Sequence, residues 1–439
     1  MATFIKMVAN GDILSIALKR YKCFIPNGSI LVTRDYSISA QNHKNYDIII
    51  TGGGMVGTTL ACALANNRKL ECKKILLIES GRQFEYKFEE RYSNRVVALN
   101  QQTRTLLSSI GAWQHIKATR YCTVRKMQVW DACSDAMIVF NEDYLTEEIA
   151  YIVENDLLLH AVNKQLIDKE NVNVIYNSKV ANIKLPKMLE ENAEIQLQDG
   201  TKYEAKLLIG ADGVNSLVRQ IMDTQYVKWD YNQMGIVATL KLSELTNCLS
   251  SLVWSLPTTE AKRLLKVSEE EFVDSINNAL WKVYPKDGIV ESGMRALQQL
   301  LEGLSLQTGV VKQLQPSVSA IVEGSRAAFP LQFGHSVSYV QTGTVLVGDA
   351  AHRVHPLAGQ GVNLGFGDVT ILVQLLAEAV INGAPLGDMI YLRKYETLRQ
   401  RYNVPIMFAI DALHRLYKGT AAPIVLARSL GLQLTNAIP

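Results

Sequence analysis

The chain has 439 residues, 48% apolar and 20% charged, a composition that supports a sizeable core and two domains and excludes a disordered or fibrous chain. A formal net charge of +3, with no basic stripe interleaved with aromatics and no zinc-finger or helix-turn-helix pattern, provides no grip on nucleic acid. The six cysteines lack Cys-x-x-Cys spacing and read as reduced thiols; His352 and His355 have no third ligand, so no metal is expected; and no apolar run reaches the about 18 residues of a membrane span.

Residues 1–45 differ from the rest. They carry Lys6, Lys19, Arg20, Lys22, Arg34 and Lys44 against Asp12 and Asp35, with hydroxyl residues among apolar ones. The balance suits a mitochondrial transit peptide better than a secretory signal, because Lys19 and Arg20 stand where a small-residue cleavage site belongs; a cytosolic extension is the other reading.

From Tyr46 the pattern becomes α/β. An apolar strand runs into Gly52-Gly53-Gly54-Met55-Val56-Gly57, a small-residue helix follows over Thr58–Ala65, and a second apolar run, Ile75–Ile78, closes on Glu79. Strand, Gly-x-Gly-x-x-Gly, helix, strand and acid in this order predict a dinucleotide. Gly52 allows the tight turn, Gly54 lets a pyrophosphate approach the backbone, Gly57 lets helix and strand pack closely, and Glu79 is placed for the adenosine ribose. An acid there favours an unphosphorylated ribose, FAD or NAD. The fingerprint occurs once, which disfavours a separate nicotinamide domain and points to a resident flavin.

Further strands are expected at 95–100 and 126–130, with a short helix at 101–110 and one at 154–165 whose apolar face should pack on the sheet. Residues 171–176, 193–197 and 207–209 read as strands, with Asp199-Gly200 as a hairpin turn. The second motif, Gly210-Ala211-Asp212-Gly213, ends the last of these. Strands at 236–242 and 251–255 and an acidic amphipathic helix at 269–284 mark a second, substrate-side domain. The chain is expected to return to the nucleotide domain at Arg326, and its tail, 395–432, reads as helices whose apolar face, with Ile406, Phe408, Leu413 and Leu416, packs on the protein.

The third motif is Gly348-Asp349-Ala350-Ala351-His352, continuing through Pro356, Gly359, Gly361 and Asn363 into a long helix to about Ile381. Asp349 is placed to accept hydrogen bonds from ribityl hydroxyls. The helix opening near Gly361 would aim N–H groups and a positive dipole end at the pyrimidine edge of an isoalloxazine, which is anionic when reduced. Glycines 359 and 361 leave room for a flat ring.

These motifs, in this order, resemble the aromatic-ring flavin hydroxylases of the p-hydroxybenzoate hydroxylase type. Within that group, Tyr92-Ser93-Asn94-Arg95-Val96, the block 106–113, Met127-Gln128-Val129-Trp130-Asp131, Tyr151–Asp156 and Gly348–Gly367 are similar to the mitochondrial ubiquinone-biosynthesis flavin monooxygenases. The resemblance implies an FAD-binding Rossmann-like domain of the glutathione-reductase type (46–121, 150–222 and 325–395), interleaved with an α+β substrate domain (122–149 and 223–324) and followed by C-terminal helices (396–439). It implies FAD held at Gly52, Gly54, Gly57, Glu79, Arg95, Asp212, Asp349, Pro356, Gly359, Gly361 and Asn363, with Asp212 organising the loop near the pyrophosphate beside Ser216 and Arg219. It further implies C5 hydroxylation of a polyprenylated 4-hydroxybenzoate-type phenol by a flavin hydroperoxide formed from O2. Ferredoxin and its reductase would supply electrons, alongside other quinone-biosynthesis proteins at the matrix face of the inner membrane. No side chain identifies itself as the acid or base acting on the phenol.

One departure stands out. Ser243–Cys248 runs directly into Leu249–Ser255 where the family has roughly two dozen further residues, enough for about two strands. Their loss is expected to leave unpaired strand edges and admit water, so a weak or silent flavoprotein or scaffold stands as the alternative to an active hydroxylase.

Overall fold

The computed structural model of the protein describes residues 44–134, 136–141, 148–242, 249–303 and 317–437. Nearly all of the expected transit peptide lies outside them. The strand Lys44–Thr51 is the centre of an eight-stranded sheet, flanked in parallel by Ile75–Ile78 and Lys202–Gly210. Val172–Ile175 extends the parallel set beyond the former and Thr344–Leu346 beyond the latter. Ile48, Ile49 and Ile50, Ile75 to Ile78 and Leu207 to Ile209 are all buried, the continuous apolar runs of a parallel sheet covered on both faces. The expected hairpin turn is present, with Gly200 at φ +86° and the Asp199 carboxylate accepting the Thr201 N–H at 2.9 Å.

Helices Met55–Asn66, Asn155–Leu166 and Gly361–Ile381 pack together on this sheet. The last is long and apolar enough to cross a membrane, yet most of it is buried in the protein core. Its small and branched apolar residues instead meet the helix Met55–Asn66 and the C-terminal helix Met389–Lys418.

A second, five-stranded sheet runs Leu249–Pro257, Tyr226–Leu242, Ala327–Ser336, His352–Arg353, with Val318–Ile321 beside Tyr226–Leu242. Ile236, Ala238 and Leu240 alternate along the long strand and bury against Leu264, Phe272 and Ile276 of the helices Thr258–Leu264 and Glu269–Trp281. Two expectations change here. The boundary at 325 falls one strand early, because Ala327–Ser336 pairs along Tyr226–Val237 and belongs to the second sheet. The strands on either side of the Cys248-Leu249 join pair in unbroken register from Gln233↔Pro257 to Lys241↔Leu249, while Leu249–Pro257 ends the sheet and its outer edge has no partner strand among the described residues; residues 243–248 lie outside the described set. In the tail, Met407 and Ile410 are buried, whereas Phe408 and Leu413 are 54% and 44% exposed, so the packed face of that helix is rotated from the expected one.

The final helix, Ala422–Ala437, is fastened to the hairpin formed by Lys126–Trp130 and Met137–Asn141. Arg428 Nε and Nη2 donate to Asp131 Oδ2 and Oδ1 at 2.5 and 2.9 Å, and Nη1 donates to the Gly419 carbonyl at 2.7 Å. Both partners are almost completely buried. Asp131→Ala or Arg428→Ala strands the other charge, and each should lower unfolding free energy by about 3–5 kcal/mol in denaturant melts, against a much smaller loss for the double replacement Asp131→Leu with Arg428→Met.

Candidate functional site

The parallel strands bring three distant motifs together. Lys44–Thr51, Lys202–Gly210 and Thr344–Leu346 are neighbours, so Gly52, Gly210 and Gly348 emerge side by side at their carboxyl ends, where open α/β sheets bind ligands. The Ala211 N–H donates to the Thr51 carbonyl at 2.8 Å and the Val347 N–H to the Gly210 carbonyl at 3.0 Å.

The first turn is compact. Gly52 adopts φ +101°, and a methyl group on Gly57 would lie 1.9 Å from the Gly52 carbonyl oxygen, so the helix start and strand end touch. Around Gly54, by contrast, a methyl group would meet no protein atom within 4 Å. Gly54 caps the helix without a side-chain bond, which leaves the first N–H groups facing an open cradle suited to an anion. Glu79 reaches back to this turn, its Oε2 accepting the Gly53 N–H and its Oε1 the Gly81 N–H, both at 2.6 Å. A carboxylate has about four acceptor sites, so capacity remains for ribose hydroxyls.

Asp212 divides its oxygens. Oδ2 accepts the Leu217 and Val218 N–H groups at 2.7 and 3.2 Å, while Oδ1 is buried without a partner. Arg219 ties this loop to the third motif: Nη1 donates to the Ala350 carbonyl at 2.8 Å, Nη2 to the Val214 carbonyl at 2.7 Å, and Ser216 Oγ accepts the Arg219 N–H.

In the third motif Asp349 is exposed by surface area and makes no hydrogen bond among the described residues. Protein nevertheless crowds it: loss of water pushes its carboxyl up from the ordinary value, with His352 and Arg353 pulling it back. Exposure combined with crowding describes the wall of a crevice. Behind it lies a network that sequence reasoning missed. Asp368, fully buried, accepts the Gly348 N–H at 2.9 Å, His352 Nε2 at 2.6 Å, Arg399 Nε at 2.7 Å and Asn403 Nδ2 at 3.3 Å. Burial alone would raise its pKa, but His352 and Arg399 prevail and hold it at about 2. The available signal was a lone charge in the otherwise uncharged stretch from Gly361 to Ala377.

Pro356 opens a short 3-10 turn ending at Gly359 with φ +59°, and the long helix starts at Gly361 without a side-chain cap. The Asn363 side chain is engaged within the protein. Its Oδ1 accepts the Asn100 N–H and Thr103 Oγ1, and its Nδ2 donates to the Ala98 and Gly359 carbonyls, so its side chain fastens the helix start to the strand Val96–Leu99. Arg95 precedes that strand, exposed, and its guanidinium has no hydrogen bond or ion pair among the described residues. The structure therefore joins Arg95's strand to the third motif and leaves its side chain available.

An anion cradle with room at Gly54, an orphaned buried carboxylate oxygen at Asp212 and a crevice acid at Asp349 fit FAD, and with the second sheet they define the class of FAD-dependent monooxygenases. Residues 45–403 match the family described as FAD binding domain. Solved structures with this architecture include a probable FAD-dependent monooxygenase from Pseudomonas aeruginosa (TM-score 0.63, 18% identity, covering 88% of this chain and 100% of that one). Another is p-nitrophenol 4-monooxygenase from Pseudomonas putida (TM-score 0.61, 16% identity, 90% and 95%). The mitochondrial ubiquinone biosynthesis monooxygenase COQ6 of Danio rerio is 44% identical over 448 aligned positions, covering 94% of this chain and 93% of the relative. The human protein of that name is 43% identical, covering 94% of each chain. The chain belongs to this family of mitochondrial ubiquinone biosynthesis monooxygenases and uses FAD. The aligned span with the Danio rerio relative exceeds this chain's 439 residues, so that relative carries residues without a counterpart here.

Two glycines separate packing from ligand approach. Gly57→Ala should lower the melting temperature of the apoprotein, whereas Gly54→Ala should melt like wild type and bind FAD at least about tenfold more weakly by fluorescence titration. The acid response follows from Asp368: its pKa, depressed from 3.8 to about 2, contributes stability above about pH 4 that is lost as pH falls toward 2. Asp368→Asn should reduce stability at neutral pH and flatten the loss in that window, as read by pH-dependent denaturant melts.

Proposed function

We propose that the chain hydroxylates C5 of the aromatic ring of a polyprenylated 4-hydroxybenzoate-type phenol in ubiquinone formation. The observation that carries this reading is similarity over 94% of the chain to monooxygenases of that name, together with a dinucleotide fold whose third motif runs directly into the second sheet at His352–Arg353. Bound FAD supplies the chemistry of reducing O2 and delivering one oxygen atom to an electron-rich ring. The chain's own residues perform the rest. Gly52, Gly54 and Gly57 with the first helix receive the pyrophosphate, Glu79 the adenosine ribose, and Asp349 the ribityl hydroxyls. Asp212 organises the loop near the pyrophosphate, and Arg95 reaches the ring. Backbone N–H groups from Gly361 onward would favour negative charge on a reduced ring, and the turn Pro356–Ala358 with Gly359 would border the ring. Asn363 acts by positioning that turn.

The family resemblance implies ferredoxin and ferredoxin reductase as electron donors, and a dinucleotide fingerprint that occurs once in the sequence is compatible with them. Peripheral attachment at the matrix face of the inner membrane, beside other quinone-biosynthesis proteins, is supported by exposed Ile390, Leu398, Tyr402, Phe408 and Leu413, which share about 140° of the helix Met389–Lys418. Similarity over 94% of the chain to monooxygenases of that name favours an active hydroxylase over a silent scaffold.

The test is rescue of quinone synthesis in cells lacking their own hydroxylase, with ring-hydroxylated intermediates quantified. This chain should restore the C5-hydroxylated product. Product only from a version lengthened at the 248/249 join would make this form inactive, and product from neither would sink the assignment.

A further inference from the structure

His355 opens the turn that leads to Gly361, and its two ring nitrogens have different fates. Nδ1 accepts the Leu357 backbone N–H at 3.1 Å, capping the 3-10 turn. An acceptor nitrogen in a neutral imidazole carries no proton, so the ring proton sits on Nε2. Nε2 is buried and has no hydrogen-bond partner among the described residues, in a side chain only 1% exposed. A buried donor left unpaired is destabilising, and such a group calls for an explanation.

Its surroundings narrow the explanation. Tyr231, from the second sheet, stands edge-on at 5.0 Å between ring centroids, and His414, from the C-terminal helix, lies at 4.7 Å. The Tyr231 hydroxyl is committed, donating to Asp411 Oδ1 at 2.8 Å; the same oxygen accepts Trp229 Nε1 at 3.1 Å, and Arg415 Nε donates to Oδ2 at 2.7 Å. Burial, then His414, holds His355 down at about 4 against the opposing pull of Asp411, and His414 is lowered as well. The imidazole is therefore a neutral donor at physiological pH, sited where the ring-side turn, the second sheet and the C-terminal helix meet.

We propose that His355 Nε2–H donates a hydrogen bond to the phenolic oxygen of the aromatic substrate and so favours its ionised form. This rests on the hydroxylase reading above. The phenol's proton passes to solvent water; His355 does not take it, because its lone pair at Nδ1 is held by Leu357. The role is that of a donor to a developing phenolate, distinct from a general base, and it answers which side chain acts on the phenol.

The two nitrogens can be tested apart. Asparagine caps a turn with Oδ1 in place of Nδ1 but has no group at the position of Nε2, so His355→Asn keeps the cap and deletes the donor. His355→Leu deletes both. The probe is 4-hydroxy-3-nitrobenzoate, whose ionisation is followed by absorbance on the oxidised, FAD-loaded enzyme without turnover, alongside FAD content and melting temperature. Wild type is expected to lower the ionisation pH of the bound probe by at least one unit. His355→Asn should match wild type in FAD content and melting temperature and return the probe to its free value. An unchanged ionisation shift in His355→Asn overturns the proposal. So does loss of FAD or stability equal to that of His355→Leu, which would make the role structural. Failure of FAD-loaded wild type to bind the probe also overturns it, since the donor would have no phenolic partner; the rescue experiment then decides separately whether the hydroxylase reading stands.

Discussion

A single carboxylate at the base of the crevice organises the surrounding chain. Asp368 has no solvent exposure, and an isolated charge so placed would be untenable; it persists because the Gly348 N–H, His352, Arg399 and Asn403 all donate to it. The consequences spread outward. Gly348 is pinned at the start of the third motif, and Arg399 Nη2 also donates to the Leu364 carbonyl in the first turn of the long helix. Gly367 lacks a side chain where Arg399 passes, since a methyl group there would lie 2.6 Å from Nη2. Gly365 allows the same helix to approach Val56 beside the dinucleotide turn. Thus the glycines of 361–367 divide their work: the first leaves the helix end open, and the later two permit close packing.

Much of the nucleotide half was legible because its signals are local. A glycine turn, an apolar run and an acid at fixed offset are set by backbone sterics and by burial on both faces of a parallel sheet, and neither depends on distant contacts. The second sheet was harder to bound. Ala327–Ser336 contains Pro330 and Gly334, which break the usual strand signature, and it is recognisable as a strand only once Tyr226–Leu242 lies beside it. The role of the Asn363 side chain was hidden for a related reason. The family resemblance marks it as a cofactor residue, and its side-chain bonds to Ala98, Asn100 and Thr103, which span some 260 residues of sequence, show only in the fold. Phe408 and Leu413 were read as packed because they are apolar, whereas the helix rotation is set by Arg399, Asn403 and Asp411, whose polar partners fix which side faces inward.

The third motif also joins the two sheets. The chain leaves the first sheet at Leu346, turns at Gly348, and by His352–Arg353 is paired with Gly334 and His335 of the second. Arg353 Nη1 donates to Gln332 Oε1 at 2.7 Å, Arg219 reaches the Ala350 carbonyl, and Asn94 Nδ2 donates to the Ser325 carbonyl at 2.6 Å. The cofactor side and the second sheet are therefore connected by short covalent and hydrogen-bonded links. A reaction that must keep water away from a flavin and hold an aromatic ring in register benefits from such coupling, because proximity gains require fixed geometry. It also explains why a polar network as far along the chain as Arg399 to Arg415 matters to a site opened by Gly52. Asp368 fixes the cofactor side of the third motif, while Asp411 fixes Trp229 and Tyr231 on the second sheet. One C-terminal helix thus holds both walls, and the seam between them is where His355 stands.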